Sequence, residues 1–326
     1  MANMRVLVTG AGGFIGSHLA ERLVQEGHQV RAFVHYNSRN HLGWLEGSPH
    51  LKDIEVVTGD VRDYDCVFNA IRRADAVFHL AALIGIPYSY VSPLAYIRTN
   101  VEGTYNVLQS CRSTDCSNVL ITSTSETYGT AQLIPINEDH PLVGQSPYSA
   151  TKIGADQLSI SFYRSFGMPV KIVRPFNTFG PRQSARAIIP TIISQLLSGQ
   201  RELKLGNLTP TRDFTYVADT VDGFLAIARC QECIGQVVNI GTGTEISIED
   251  LARLIARLLR MNVRFTTEDK RVRPSTSEVE RLVCDNSKIR RLTGWTPQHI
   301  FEAGLQAFID WARANLSHFK PEWYNI

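Results

Sequence analysis

The first half of the chain alternates short apolar runs with amphipathic segments, and this alternation restricts the fold more than any other feature. The apolar runs cover residues 6–8, 30–34, 54–57, 76–80, 119–121 and 170–173. The amphipathic segments between them include residues 17–26, 64–73, 94–111 and 148–166. Continuously apolar strands that alternate with helices are typical of a parallel sheet covered on both faces. The pattern predicts an α/β fold with a doubly wound parallel sheet.

After about residue 176 the alternation becomes less regular, and proline, glycine and arginine become more frequent. Helices are still expected, one opening at Ser247 with Asp250 three residues later, as in a capping box, and one over residues 300–315. We therefore predict a sheet domain over residues 1–176. A smaller α+β region over residues 177–326 closes over it, with some segments returning to the sheet.

Composition excludes several classes of partner. The chain is 44% apolar and 20% charged, with a net charge of +2, so nothing favours nucleic acid or an acidic membrane surface as a partner. No apolar run approaches the ~20 residues that span a bilayer. The N-terminus is typical of a first strand and not of a signal peptide, which favours a cytoplasmic location. The six cysteines show no framework spacing, and Cys230 and Cys233 form a lone C-x-x-C, so no metal site is expected.

A glycine-rich turn separates the first predicted strand from the first predicted helix. Gly10, Gly13 and Gly16 give the pattern G-x-x-G-x-x-G. Glycines let the backbone approach a pyrophosphate, whose charge is stabilised by the N–H groups of a helix N-terminus. Because the pattern stands after a strand and before a helix, we predict dinucleotide binding in a Rossmann-type sheet.

The fingerprint usually includes an acid about 20 residues further on, which binds the ribose 2′-hydroxyl. Here the corresponding stretch, residues 33–39, reads F-V-H-Y-N-S-R and contains no acid. Nothing in it repels a 2′-phosphate, and Arg39 is suited to accept one, so both NAD and NADP stay open. Asp60 after the third strand is a candidate for contact with the adenine, and an ordinary loop aspartate is the alternative.

Two further stretches have residue types suited to catalysis. Tyr148 and Lys152 stand four residues apart on a predicted helix, where they share one face. A lysine beside a phenol favours the phenolate and lowers the pKa of the tyrosine, which gives a base usable near neutral pH. In residues 123–129, S-T-S-E-T-Y-G, Glu126 stands where a buried strand leaves the core. A carboxylate there is costly unless it is solvated, paired or used in chemistry.

Taken together, these stretches resemble the extended short-chain dehydrogenase/reductase family, which acts on nucleotide-activated sugars. The resemblance rests on the glycine turn, H-L-A-A (79–82), N-V-E-G-T (100–104), S-T-S-E-T-Y-G (123–129), Y-S-A-T-K (148–152), R-P-F-N-T-F-G-P (174–181), R-D-F-T-Y-V-A-D (212–219) and V-R-P (272–274). Within the family, residues 83–90, 144–156, 177–193 and 273–288 are most similar to the 4,6-dehydratases of the legionaminic acid pathway, which act on a nucleotide-linked N-acetylglucosamine.

The resemblance implies a 4,6-dehydratase that borrows and returns a hydride. Tyr148 takes the proton from the sugar O4 while a hydride leaves C4, and Glu126 then removes the C5 proton before water leaves C6. The implied catalytic residues are Thr124, Ser125, Glu126, Tyr148 and Lys152. The implied cofactor residues are Gly10, Gly13, Phe14, Ile15, Gly16, Arg39, Asp60, Val61, Leu80, Ala81 and Ala82, together with Tyr148 and Lys152.

For the nucleotide sugar, the resemblance implies that Arg212 and Arg273 bind the diphosphate and that Asn177 lies near the sugar. Arg182 and Arg186 are weaker candidates, with surface arginines as the alternative. A UDP-glucuronate decarboxylase and a nucleotide-sugar 4-epimerase remain alternatives within the family, and a catalytically silent nucleotide-binding module is the alternative outside enzymes. UDP- and GDP-N-acetylglucosamine are the predicted substrates, and the resemblance also implies a homodimer.

Overall fold

The computed structural model describes residues 3–323. These residues form fourteen strands, and seven of the strands make a parallel sheet at the centre. The strands are β1 (Arg5–Thr9), β2 (Gln29–His35), β3 (Ile54–Gly59), β4 (Ala76–His79), β5 (Asn118–Thr122), β6 (Val170–Pro175), β7 (Asn177–Phe179), β8 (Glu202–Leu205), β9 (Thr211–Arg212), β10 (Phe214–Tyr216), β11 (Val237–Ile240), β12 (Ile246–Ser247), β13 (Arg264–Thr267) and β14 (Arg281–Leu282). The α-helices are α1 (Phe14–Gln25), α2 (Tyr64–Ile71), α3 (Ile86–Val91), α4 (Pro93–Tyr96), α5 (Gly103–Ser113), α6 (Pro147–Phe166), α7 (Ile188–Leu197), α8 (Val217–Arg229), α9 (Ile248–Leu258), α10 (Ser287–Thr293) and α11 (Phe301–Ala314).

The strand order of the large sheet is β3-β2-β1-β4-β5-β6-β11, and every neighbouring pair is parallel. The chain builds outward from β1 on one side and from β4 on the other, so the order reverses between these two strands. Open parallel sheets bind ligands outside the carboxyl ends of their strands at such a reversal. The predicted doubly wound, Rossmann-type fold is confirmed, and the six apolar runs of the first half lie in β1–β6.

Helices cover both faces of the central sheet, which explains why its inner strands β1, β4 and β5 are mostly apolar. Val6 and Val8 of β1 pack into a core that includes side chains of α1 and α8. Leu7 between them packs into a second core with side chains of α2, α5 and α6. Successive side chains of a strand point to opposite faces, so a strand covered by helices on both sides needs apolar residues at each position.

The second half of the chain forms its own core and also completes the sheet. Side chains of α7, α9 and α11 pack together with those of β8 in a third core. However, β11 pairs with β6 as the outermost strand of the large sheet, and α8 covers one face of that sheet. The division of the chain at residues 176 and 177 stays a prediction.

The helix start predicted at Ser247 is found in the structure, and α6 begins with capping contacts that were not predicted. The side chain of Ser247 accepts a hydrogen bond from the backbone N–H of Asp250 at 3.0 Å, which starts α9 as expected. At α6, Ser146 and Ser149 cap the helix reciprocally, Pro147 occupies the first turn, and the helix ends at Gly167 with φ of +66°. These signals fix the position of α6, whose first turns carry the predicted catalytic tyrosine and lysine.

Among residues 3–323, no helix combines the length and the apolar character needed to cross a bilayer. In the same part of the chain, no three histidine, cysteine or acidic side chains are grouped so that they could hold a metal ion.

Candidate active site

Glycines shape the turn between β1 and α1, which forms one wall of a cleft of about 1090 Å³ at the carboxyl ends of the strands. Gly10 has φ of +68°, and a Cβ atom there would lie 2.8 Å from the backbone nitrogen of Ala81. A Cβ atom on Gly16 would overlap the carbonyl oxygen of Gly10. No side chain caps the N-terminus of α1, and residues 13–16 line the cleft. The N–H groups of Gly10 and Gly13 donate to the carbonyl oxygens of Phe33 and Gly10, whereas the uncapped first turn of α1 can offer its N–H groups to a phosphate group.

The end of β2 lines the cleft without an acid, as the sequence indicated. Asn37 organises this loop, because its side-chain oxygen accepts hydrogen bonds from the backbone N–H groups of Arg39 and His41 at 3.2 and 3.0 Å. Asp60, after β3, also lines the cleft, but both of its oxygens accept hydrogen bonds from Arg62, which lowers the pKa of the Asp60 carboxyl group. Arg39 is exposed and does not line the cleft.

The turn after β4 closes the same part of the cleft. The predicted cofactor residues Val61, Leu80, Ala81 and Ala82 all line it. The Thr9 hydroxyl oxygen accepts hydrogen bonds at 3.1 Å from the backbone N–H groups of both Leu80 and Ala81. Thr9 was not identified from the sequence, where a threonine at a strand end gives no distinctive signal. Together, the bare glycine turn, the uncapped helix and this fixed backbone fit a dinucleotide.

Thr124, Tyr148 and Lys152 come together at the carboxyl end of β5. The Tyr148 hydroxyl group and Thr124 are hydrogen-bonded to each other, and all three side chains line the cleft. The Lys152 ammonium group donates a hydrogen bond to the carbonyl oxygen of Thr122 at 2.5 Å. Tyr148 and Lys152 are 6% and 3% exposed. The arrangement presents a buried phenol, a hydroxyl group and an ammonium group to a ligand in the cleft.

Burial is the largest cause of the pKa changes of Tyr148 and Lys152. Burial lowers the pKa of Lys152 to about 8, and the negative charge of Asp156 opposes this change. Burial raises the pKa of Tyr148, and the nearby Glu126 adds to the rise, while the hydrogen bond with Thr124 opposes it. The prediction that the pKa of Tyr148 is lowered is therefore wrong for this structure, because burial disfavours the charged phenolate more than the hydrogen bond with Thr124 favours it.

Glu126 lies in a short 3-10 turn, Ser125–Tyr128, that follows β5. The Thr124 side chain caps this turn by accepting a hydrogen bond from the backbone N–H of Glu126 at 3.3 Å. Glu126 is partly exposed and lines the cleft, while Ser125 is 1% exposed and also contributes to the lining. The cap therefore places a carboxylate beside the buried phenol, where a base can reach a bound ligand.

The residues predicted to bind the nucleotide sugar fall into two groups. Asn177, Arg186 and Arg273 line the cleft, and Asn177 is the first residue of β7. Arg212 does not line it; it is 6% exposed, and its guanidinium lies 3.6 Å from the carboxylate of Glu278. The guanidinium of Arg273 lies 3.8 Å from the same carboxylate oxygen. Glu278 thus joins the two predicted cations, and only Arg273 of the pair reaches the cleft.

Arg182 connects the loop after β7 to the glycine-rich half of the site. Its guanidinium donates hydrogen bonds to the Ser17 hydroxyl group at 3.1 Å and to Glu21 at 2.9 Å, both on α1. The backbone φ of Arg182, +73°, is in the left-handed region, which is uncommon for a residue other than glycine. Arg182 lines the cleft, so it holds the loop against α1 where the predicted phosphate site lies.

Comparison with known proteins gives an independent result. The family model for GDP-mannose 4,6 dehydratase matches residues 7–308. A UDP-N-acetyl-alpha-D-glucosaminuronate decarboxylase of Bacillus cytotoxicus is 33% identical over 322 residues, covering 95% of this chain and 98% of the relative. A trifunctional UDP-glucose 4,6-dehydratase/UDP-4-keto-6-deoxy-D-glucose 3,5-epimerase/UDP-4-keto-L-rhamnose-reductase of Arabidopsis thaliana is 30% identical over 331 residues, or 98% of this chain. The chain spans 48% of that relative's length.

One solved structure matches along almost the whole of both chains. It is the DesIV double mutant, a dTDP-glucose 4,6-dehydratase from Streptomyces venezuelae, with NAD bound. The TM-score is 0.87 and the identity 29%, with 98% of this chain and 99% of the other covered.

Proposed function

The chain belongs to the GDP-mannose 4,6-dehydratase family of NAD-dependent nucleotide-sugar enzymes, and on that premise we propose that it is a nucleotide-sugar 4,6-dehydratase. The proposed substrate is UDP- or GDP-N-acetylglucosamine, and the product is the 4-keto-6-deoxy sugar nucleotide. The similarity of residues 83–90, 144–156, 177–193 and 273–288 to the 4,6-dehydratases of the legionaminic acid pathway supports this choice of sugar.

One observation carries the choice of reaction: a carboxylate and a phenol line the same cleft on either side of one threonine. Tyr148 is hydrogen-bonded with Thr124, and the backbone of Glu126 is held by the side chain of the same threonine. A dehydratase needs two bases, one for a sugar hydroxyl proton and one for a proton on carbon. The phenol and the carboxylate supply both.

NAD is the cofactor, and the residues present fit it. The glycine turn before α1 leaves room for a pyrophosphate against uncapped N–H groups, and the acid-free end of β2 lies beside it. When bound, NAD would supply a hydride acceptor for the sugar and, once reduced, a hydride donor, so no reductant would be consumed. The backbone turn fixed by Thr9 and the loop held by Arg182 line the walls around this group.

The side chains of the chain then divide the proton transfers. Tyr148 removes the O4 proton, assisted by the hydroxyl group of Thr124 and by the positive charge of Lys152. A ketone at C4 acidifies the C5 proton, which Glu126 removes, and the C6 hydroxyl group leaves as water with a proton from Glu126 or from a bound water. The hydride then returns to C6 and a proton to C5, so there is no net redox change. Because burial raises the pKa of Tyr148 and the hydrogen bond with Thr124 opposes that rise, Thr124 helps the phenolate to form.

Binding of the diphosphate is assigned to Arg273 and Arg186, which line the cleft. Arg182 lines it too, but its guanidinium is held by Ser17 and Glu21. Guanidinium groups donate several hydrogen bonds in a fixed plane and therefore suit phosphate oxygens. Arg212 acts from the interior in this proposal, through the carboxylate of Glu278 that it shares with Arg273.

Two other activities of the family remain as alternatives. A decarboxylase is supported by the similarity to the Bacillus cytotoxicus enzyme, and threonine, serine and glutamate at positions 124–126 do not separate the two reactions. A 4-epimerase shares the first hydride transfer, but those enzymes usually lack the glutamate found at position 126. A silent nucleotide-binding module has no need to keep Thr124, Glu126, Tyr148 and Lys152 together.

The test is incubation of the purified protein with a panel of UDP-, GDP-, dTDP- and CDP-sugars, including hexuronates, followed by mass spectrometry. We expect loss of water from an N-acetylglucosamine nucleotide and no net formation of reduced cofactor. Loss of carbon dioxide from a hexuronate, or an isomer without mass change, would replace the proposal by one of its alternatives. Nicotinamide absorbance without turnover of any sugar nucleotide would favour the silent module.

We also propose that the protein is a cytoplasmic homodimer formed through α4–α6. Large apolar side chains there are exposed, among them Leu94, Ile97, Tyr105, Tyr163 and Phe166. Exposed apolar groups in such number indicate a contact surface. Sedimentation equilibrium should give twice the chain mass of 36.4 kDa, and Tyr105→Glu should reduce the mass to that of one chain. A single-chain mass for the unmodified protein would contradict the dimer.

A further inference from the structure

A buried carboxylate that the proposed chemistry does not use lies beside the Tyr148–Lys152 pair. Asp156 follows Lys152 by four residues and Tyr148 by eight on α6, so the three side chains lie on one side of the helix. Asp156 is 1% exposed. A buried charge destabilises the folded protein unless it is paired, so the contacts of Asp156 should explain why a carboxylate stands at this position.

One oxygen of Asp156 connects three elements of the cleft. Oδ2 accepts hydrogen bonds from the Ser123 hydroxyl group at 2.7 Å and from Nε and a terminal nitrogen of Arg174 at 3.0 and 2.8 Å. Ser123 follows β5 and immediately precedes Thr124, and Arg174 lies in β6, three residues before Asn177. The carboxylate therefore joins α6 to the ends of β5 and β6, from which catalytic and substrate residues extend.

The other oxygen of Asp156, Oδ1, has no hydrogen-bond partner among residues 3–323. The Arg174 guanidinium that pairs with Asp156 is itself shared, because it also lies over the ring of Tyr128, 4.8 Å from its centre. The hydrogen bonds thus reach only one oxygen of Asp156. The negative charge of Asp156 also stabilises the protonated form of the neighbouring Lys152.

We propose that Asp156 is a positioning residue, which locks β5, α6 and β6 together at the cleft and supplies the negative charge that balances the Lys152 cation beside Tyr148. The inference rests on the proposed function only for what the Tyr148–Lys152 pair does to a sugar. The lock and the charge balance belong to the protein itself and hold for any ligand of the cleft.

The electrostatics agree with this role. Burial lowers the pKa of Lys152 to about 8, and Asp156 opposes this change. Burial also raises the pKa of Tyr148, and Asp156 adds a smaller rise. The other titratable or charged groups that face the pair are His79 from β4, Tyr96 from α4, Glu126 from the turn after β5 and Arg174 from β6. His79 is neutral at physiological pH, since burial and the charge of Lys152 lower its pKa to about 3.

Asp156→Asn keeps the shape and removes the charge. Without the carboxylate the protonated form of Lys152 is less stable, so its pKa should fall by about one unit from about 8. Acetic anhydride, applied to the protein without substrate at a series of pH values, labels only the neutral amine. Mass spectrometry of the Lys152 peptide should therefore show half-maximal labelling at a pH about one unit below that of the unmodified protein.

Two further variants separate charge from structure. Ser123→Ala removes one hydrogen bond of Asp156 and leaves all charges, so its labelling curve should coincide with that of the unmodified protein. The double variant Asp156→Asn/Arg174→Gln removes both members of the buried ion pair and avoids leaving a lone guanidinium. If the single variant fails to fold, the double variant should fold, and its labelling curve should still move to lower pH because the charge of Asp156 is gone.

A labelling curve of Lys152 that is unchanged in the folded single variant, or in the double variant if the single one fails to fold, would overturn the proposal. The alkaline limb of the turnover profile should move to lower pH together with the labelling curve. If labelling shifts as expected but no sugar nucleotide is turned over, the proposed function fails and the role of Asp156 stands. If sugar nucleotide is turned over but labelling does not shift, the role of Asp156 fails and the proposed function stands.

Discussion

Tyr148→Phe should reduce turnover of the sugar nucleotide by about a thousandfold, since general acid–base groups typically contribute ~10²–10⁴. The phenylalanine ring fills the same buried space and loses only the hydroxyl group that is hydrogen-bonded with Thr124. Removal of the O4 proton then has no base, so hydride transfer from C4 should fail. Affinity for the sugar nucleotide, measured by calorimetry, should stay near that of the unmodified enzyme.

Tyr96→Phe is the matched control. Tyr96 is 1% exposed, its ring centre lies 6.2 Å from that of Tyr148, and its hydroxyl group donates to the carbonyl oxygen of Gly85. The substitution removes a buried hydroxyl group beside the site without removing the base. We expect a loss of about tenfold or less in turnover, in line with one hydrogen bond. Equal losses in the two variants, or near-normal turnover by Tyr148→Phe, would mean that another residue is the base.

Glu126→Gln should stop the reaction halfway. Glutamine has nearly the same volume and hydrogen-bonding reach as glutamate but cannot accept the C5 proton. The first transfer depends on Tyr148 and Thr124 and should survive, whereas elimination should slow by about 10²–10⁴. In a single turnover, a 4-keto intermediate and reduced nicotinamide should accumulate together, and the absorbance of the reduced ring should report both. In heavy water the unmodified enzyme should place deuterium at C5, and the variant should exchange that position very slowly.

Glu138→Gln provides the comparison for a glutamate with a structural role. Burial raises the pKa of Glu138, and its side chain accepts a hydrogen bond from the backbone N–H of Asn239 at 2.8 Å. An amide oxygen can accept the same bond, so we expect a modest change in melting temperature and the same ratio of the two chemical steps. Should Glu126→Gln behave like this control and still release water at a near-normal rate, the role assigned to Glu126 is wrong.

The large sheet could be predicted because each of its first six strands contains a short apolar run that packs against the covering helices. The seventh strand could not be predicted, because β11 is only four residues long. It pairs with β6, from which residues 176–236 separate it in the sequence. The strands β7, β9, β10, β12 and β14 have two or three residues, too few to show a period of two. The helix that begins at Pro93 is also irregular, because residues Ile97–Glu102 form a π-helical segment between α4 and α5.

The residues of the site also divide into those that the sequence predicts and those that it does not. Gly10, Tyr148 and Lys152 are found in the predicted cleft because their spacing along one turn or one helix already determines their neighbours. The contact of Arg212 with Glu278 spans 66 positions and depends on how the second half folds, which spacing does not reveal. The pKa of Tyr148 was misjudged for a related reason. The spacing of Tyr148 and Lys152 indicates an attraction between them. The desolvation that raises the pKa of Tyr148 depends on all the residues packed around it, which the spacing does not show.

The late strand β11 has a consequence for the synthesis of the chain on the ribosome. When residues 3–176 have emerged, β6 is the outer strand of the sheet, and its free edge offers unpaired N–H and C=O groups flanked by Ile172 and Val173. Such an edge is a template for pairing with another nascent chain. It is covered only after Val237–Ile240 has been translated, together with α8, whose side chains pack against one face of the sheet. The growing chain therefore exposes that edge to neighbouring nascent chains until β11 pairs with β6.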